Sequence, residues 1–401
     1  MSFSSTPIIY CKHQASRLLA FGDANNLVFD ANRDIQELNN FLEENKGKFI
    51  FGFLSYDLKN DFENLHSENQ DFVSFCKHYF FVPDYVVRLD NQSTEFLQGT
   101  QNEKALKFIE EFINPNKTDL HTGGITLKPR INADDYQLKI KELHNHLQRG
   151  DIYEITFCQE FFAENAAISP IKLFWELDAK TNAPFASFVH WENRFLLSAS
   201  PERFIQKTGT KIISQPIKGT AKRGASAKED LAIKKELLDS EKERSENIMI
   251  VDLVRNDLSR IAKNGSVSVP ELCGIHTFET VHQLISTVEA ELEDQTTFNE
   301  ILKALFPMGS MTGAPKIRAM ELIEEYEDFK RGLFSGSVGF FHPNGDFDFN
   351  VVIRSILYNQ LNRYISCPVG GAITIQSTWE QEYQECLLKV RAMQELLENN
   401  K

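Results

Sequence analysis

Arg203-Phe204-Ile205-Gln206-Lys207-Thr208-Gly209-Thr210-Lys211-Ile212-Ile213-Ser214-Gln215-Pro216-Ile217 is the stretch that decides the fold class. Two runs, Arg203–Lys207 and Lys211–Ile217, flank Thr208-Gly209-Thr210 and predict a β-hairpin. The pattern recurs downstream. Ser337–Phe341 and Phe347–Leu357 flank Pro343-Asn344-Gly345, and the strand-like runs Tyr364–Val369 and Ala372–Ile375 are interrupted by Gly370-Gly371. Helical signals lie between them. Asp134 caps a helix that Gly150 ends, with Tyr136, Ile140, Leu143 and Leu147 on one face. Ser226 with Glu229 suits a capping box for a helix to about Leu238. Ser240 with Glu243 repeats the signal before Ile248–Ile261, and a last helix runs from about Trp379 to Leu397. Hairpins interspersed with helices predict an α+β fold of antiparallel sheets, not a doubly wound parallel one.

Composition narrows the classes. The 401 residues are 42% hydrophobic and 25% charged, with a formal net charge of -14. That balance is globular, and so acidic a chain is poorly suited to nucleic acid, whose phosphates need neutralising cations. An anionic substrate must be held by local cations or a metal. No stretch is apolar enough for a membrane helix, and Met1 to Gly22 has no signal-type apolar block, so a cytoplasmic protein is expected. Cys11, Cys76, Cys158, Cys273, Cys367 and Cys386 are far apart with no C-x-x-C, which argues for reduced thiols and against a zinc site. Asn114 to Arg130 reads as a loop, dividing an N-terminal region (1–120) from a larger C-terminal domain (121–401).

Five groups of residues suggest chemistry, each with a plainer alternative. With the hairpin turn centred on Gly209, Glu202 sits opposite Pro216 and Lys218 lies further along the same face; a two-residue turn separates them instead. A desolvated Lys is a nucleophile and a buried Glu a general acid, or the two form a surface ion pair. Glu382, Glu385 and Lys389 share a helical face and, with Glu246, offer carboxylates for Mg²⁺, or a solvated acidic surface. Gly309-Ser310-Met311-Thr312-Gly313-Ala314-Pro315-Lys316 leads into a helix N-terminus that suits an anion, or is a turn; its spacing is not that of a Walker A loop. Arg354 interrupts an apolar run and needs a substrate carboxylate or a structural acid as partner. His282, in an apolar strand, reads as a satisfied core histidine.

Taken together, SPERF (200–204), PIKGTAKRG (216–224), SENIMIVDLVRNDLSRI (245–261), HQLIS (282–286), GSMTGAPK (309–316), SGSVGF (335–340), VVIRS (351–355) and EYQECLLKV (382–390) resemble, in order, the chorismate-utilising family. Its members include anthranilate synthase component I, aminodeoxychorismate synthase component I, isochorismate synthase and salicylate synthase. The resemblance implies a two-lobed sandwich of large antiparallel sheets with helices packed outside, as in anthranilate synthase component I. It implies Mg²⁺ on Glu246 and Glu385 with Glu382 close by, and substrate contacts from Arg354, Thr220, Thr312, Lys316, Gly370, Gly371 and Lys389. Lys218, Glu202 and His282 become candidate catalytic residues. Anthranilate synthases carry Ala where Lys218 stands. A Lys there marks many members that aminate chorismate at C4, using an uncharged Lys218 as nucleophile and Glu202 as acid. No glutaminase signature accompanies the chain, so ammonia is expected from a separate glutamine amidotransferase subunit. Three departures stand out: Glu154 where the family has Gln or Lys, Ala372 for a Gly, and Cys386 for a Thr.

Overall fold

The computed structural model describes residues 6–13, 16–90, 93–115, 124–279 and 281–398. Among them, nineteen strands join through hydrogen bonds into one extended sheet, and ten α-helices pack against it. Every strand pairing within these residues is antiparallel. This is the α+β class expected from hairpins alternating with helices.

Two apolar clusters lie on opposite faces of the strands. Along Ile8–His13, Ile9 and Cys11 face one cluster and Ile8 and Tyr10 the other. Along Glu154–Ala163, Cys158 and Phe157 divide the same way. The cause is the alternation of side chains along a strand. With both faces covered, such strands read as continuous apolar runs. The first cluster is rich in phenylalanine, including Phe51, Phe80, Phe298, Phe341 and Phe349. The second gathers the helix residues Tyr136, Leu143, Leu177 and Val390. Strands of the first hundred residues share this sheet with later ones: Ile8–His13 pairs with Ser187–Trp191, and Ile50–Leu54 with Ser337–Phe341. The boundary expected between residues 120 and 121 lies outside the described residues.

The helices begin close to where the sequence places them. Ser226 accepts from the N–H of Glu229 and opens Ala227–Asp239, and Ser240 accepts from that of Glu243 and opens Glu241–Ser259. One cap differs. Asn132, not Asp134, accepts from the N–H of Asp135 and starts Ala133–Arg149.

Three strand expectations change in ways that shape the site. The first hairpin turns through Gly209-Thr210, with Thr208 opposite Lys211, a two-residue turn. Left alone, that register would separate Glu202 from Lys218. A bulge between Arg203 and Gln206 adds one residue and brings Arg203 opposite Gln215, which restores the expected facing. The strand expected over Phe347–Leu357 is two strands, Phe347–Asn350 and Ser355–Asn359. They pair with different neighbours, Arg203–Thr208 and Arg194–Ser198, and residues 351–354 carry the chain between them. Conversely, Tyr364–Ile373 runs unbroken through Gly370-Gly371, paired residue by residue with Glu154–Ala163. A Cβ on Gly370 would lie 2.3 Å from the Phe157 carbonyl oxygen, so the glycine permits close strand approach rather than interrupting the strand.

Candidate active site

A cavity of about 620 Å³ opens between strands Ile217–Lys222, Val281–Glu291 and Tyr364–Ile373 and helices Glu241–Ser259 and Trp379–Glu398. Its size suits a small organic molecule. Glu202, Lys218, Thr220, Glu246, Arg354, Gly370, Gly371, Glu385 and Lys389 all line it.

Glu202 is buried and accepts a 2.7 Å hydrogen bond from Ser310 Oγ. Burial pushes its carboxyl up to about 7, against the opposing effects of Ser310 and Lys218. A carboxyl in that range can carry a proton at neutral pH and give it up. Lys218 overturns the expectation of an uncharged amine. Burial works against its charge, but Glu154, Glu246 and Glu202 outweigh burial and raise its pKa. The closest partner is Glu154, whose Oε1 accepts from Lys218 Nζ at 2.8 Å. Lys218 Nζ thus rests against Glu154, and the acidic groups around it favour its charged form.

The acidic wall comes from two helices. Glu246 and Glu382 are buried, and Glu246 Oε1 and Glu382 Oε2 have no hydrogen-bond partner among the described residues. Burial pushes the Glu246 carboxyl up to about 8, with Lys218 acting against the rise. Around them, Lys242 Nζ reaches Glu382 Oε1 at 3.0 Å and Glu246 Oε1 at 3.9 Å, and Lys389 pairs with Glu385. A Cβ on Gly371 would meet Glu382 Oε2 at 3.1 Å and Glu385 Oε1 at 3.5 Å, so these two carboxylates converge on the bare glycine. Unpartnered buried carboxylate oxygens are costly, and a hard divalent cation takes such ligands. The donor set fits that use. As the side chains stand, no three acidic, His or Cys groups among the described residues are closed around one point.

Opposite this wall, Arg354 has φ +53°. Burial lowers the pKa of its guanidinium, with Glu385 acting the other way. No hydrogen bond or ion pair to a described residue engages its side chain. The break at 351–354 puts the residue there, and a free fork of donors on a cavity wall has the geometry to take a carboxylate. Lys389 Nζ also donates to the Gly370 carbonyl at 2.6 Å.

Four expected residues do not line the cavity: Glu382, buried behind Gly371, and three that lie elsewhere. His282 does not line the cavity, although its neighbours Val281 and Gln283 do. Its ring is fully buried against Asp230 Oδ1 at 2.8 Å and Thr277 Oγ1 at 3.1 Å, the satisfied histidine of the plainer reading. Lys316 pairs with Asp257 Oδ2 and the Leu305 carbonyl, each at 2.9 Å. Thr312 is fully buried and donates to the Met308 carbonyl. The loop of residues 309–313 serves the site through Ser310 instead, a residue within the quoted motif that sequence reasoning left without a role. Lys242 was also missed; its position one turn before Glu246 was the available signal.

Residues 5–395 match the description of the chorismate binding enzyme family. The chain belongs to that family. It is 40% identical over 350 residues to aminodeoxychorismate synthase component 1 of Salmonella typhimurium, covering 87% of this chain and 76% of the relative. It is 35% identical over 348 residues to the protein of that name from Escherichia coli, covering 86% and 76%. Anthranilate synthase component I of Streptococcus pneumoniae has a similar structure, with a TM-score of 0.78 at 27% identity over 97% of this chain and 90% of that one. Within the chorismate-binding enzymes, the described residues here hold six cysteines, all free, and no helix long and apolar enough to cross a membrane.

Proposed function

We propose that the chain aminates chorismate at C4, replacing the hydroxyl with ammonia to give 4-amino-4-deoxychorismate for 4-aminobenzoate and folate synthesis. The observation that carries this reading is Lys218 and Glu202 on one cavity wall, in a chain whose relatives at 32–40% identity include several aminodeoxychorismate synthases. Arg354 would hold one substrate carboxylate. Glu246, Glu385 and Glu382 would hold Mg²⁺, which supplies charge neutralisation for the ring carboxylate. Glu202 gives its proton to the departing C4 hydroxyl as Lys218, once it has lost its own proton, forms a bond to C2. Ammonia then bonds to C4 and the C2–Lys218 bond breaks, so two allylic substitutions leave the amino group where the hydroxyl was. The pyruvyl group is kept, and no step passes through His282.

The name "component 1" borne by the relatives goes with a second component. We take that partner to be a glutamine amidotransferase subunit delivering ammonia, and the complex to be cytoplasmic. The competing activity is that of anthranilate synthase, the name carried by a relative from Aquifex aeolicus at 28% identity, and Lys218 stands against it. The test is a coupled assay with chorismate, Mg²⁺, ammonium and an aminodeoxychorismate lyase. Wild type is expected to yield 4-aminobenzoate, and Lys218→Ala to lose at least about 10²-fold in rate. Fluorescent anthranilate formed without the lyase would overturn the assignment.

A further inference from the structure

Glu154 is 0% exposed and does not line the cavity; it stands behind Lys218. Its place is fixed by the sheet, since it lies opposite Ala314 at the end of Glu154–Ala163. One carboxylate oxygen accepts from Lys218 Nζ at 2.8 Å, and the other is buried without a hydrogen-bond partner among the described residues. An ammonium group has no lone pair, so a nucleophilic lysine in this setting needs an acceptor for its proton. The carboxylates acting on Lys218 are Glu154, Glu246 on helix Glu241–Ser259, and Glu202. Glu202 must hold its own proton to serve as acid, and Glu246 faces the cation site. Glu154 alone of the three is within hydrogen-bond distance of Nζ among the contacts of the described residues, and it has an oxygen to spare.

We propose that Glu154 is a positioning residue that aims Lys218 at the substrate, takes its proton as the carbon–nitrogen bond forms, and returns it when the amine is expelled. This rests on the amination reading above. The balance is as follows. The proton moves from Lys218 Nζ to Glu154. The freed lone pair bonds to C2, the two conjugated ring double bonds each shift by one bond towards C4, and the C4–O bond breaks with the Glu202 proton leaving in water. Ammonia bonds to C4, both double bonds shift back, and the C2–N bond breaks to release neutral Lys218. The surplus proton on the new C4 ammonium goes to Glu202, and Glu154 reprotonates Lys218. The sum is chorismate plus ammonia giving aminodeoxychorismate plus water.

The experiment compares wild type, Glu154→Gln and Lys218→Ala with chorismate, ammonium and Mg²⁺, and follows reductive methylation of Lys218 against pH by peptide mass spectrometry. Glutamine keeps an acceptor for Nζ but cannot take its proton. Glu154→Gln is expected to lower kcat at least about 10-fold with KM for chorismate within about 2-fold, and to move the Lys218 methylation midpoint down by about one unit or more as burial prevails. In wild type that midpoint should lie at or above that of the exposed Lys228 in the same digest. A Glu154→Gln enzyme with the rate and pH profile of wild type overturns the proposal. So does a wild-type Lys218 titrating below Lys228, a result that stands even if the variant fails to fold. If Lys218→Ala is as active as wild type, the covalent reading itself fails. An inactive Lys218→Ala beside an unchanged Glu154→Gln removes only the role of Glu154.

Discussion

Glu202 and Ser310 set the pH behaviour of the site between them. Burial raises the Glu202 carboxyl to about 7, while the Ser310 hydroxyl favours the ionised form and pulls it down. Ser310→Ala removes the lowering effect, so Glu202 rises further. The alkaline limb of kcat/KM is expected to move to higher pH by about half a unit to one unit, read from rates between pH 6 and 9. The same shift has a stability consequence. A carboxyl whose folded pKa of about 7 exceeds its ordinary 4.5 binds its proton more tightly in the folded chain. Its favourable contribution is present below pH 4.5 and is lost as pH rises through 7. Glu202→Gln should therefore flatten the fall in melting temperature between pH 5 and 8, measured by thermal unfolding in parallel buffers. These residues were legible in the sequence as types in motifs. Their protonation was not, because the charge on Lys218 depends on Glu154, 64 positions away in the chain.

Turn chemistry and capping placed most elements, but sheet register decided which side chains meet. The bulge between Arg203 and Gln206 and the partner switch at residues 351–354 leave no local signature, since an apolar run reads the same whether it pairs with one neighbour or two. The adjacent glycines separate fold from chemistry. A Cβ on Gly370 meets backbone of the paired strand, the Phe157 oxygen at 2.3 Å and Cys158 Cα at 2.8 Å. Gly370→Ala should cost about 1–3 kcal/mol, measured by denaturant unfolding. A Cβ on Gly371 meets carboxylate oxygens at 3.1 and 3.5 Å. Gly371→Ala should leave stability nearly intact and raise the Mg²⁺ concentration needed for half-maximal rate several-fold. Equal loss of stability in the two variants would contradict this division.

A chain with net charge -14 that takes up a dianion needs concentrated positive charge at the site. Arg354, Lys218, Lys389 and a cation on Glu246, Glu382 and Glu385 would provide it. Chelation of divalent ions should abolish turnover and added Mg²⁺ restore it. Glu246→Gln should weaken the response to Mg²⁺ while leaving the melting temperature equal or higher, since a buried carboxyl with an unpartnered oxygen is removed. The chain alone should use ammonium but not glutamine, and glutamine should become a nitrogen source when the amidotransferase subunit is added. Ammonia-independent turnover of glutamine by this chain would remove the need for a partner.

Local order and residue chemistry were sufficient to place the hairpins, the capped helices, the antiparallel α+β class and the gathering of Glu202, Lys218, Glu246 and Glu385 at one cavity. These follow from interactions spanning a few residues or from runs long enough to resemble a family. Folding in three dimensions settled the remainder: Lys218 held against Glu154, His282 held against Asp230, Lys316 held by Asp257, and Arg354 turned into the cavity. Each depends on which distant group a side chain finds across the sheet. Burial makes an unmatched charge so costly that this partner, and not the residue's own type, sets its state.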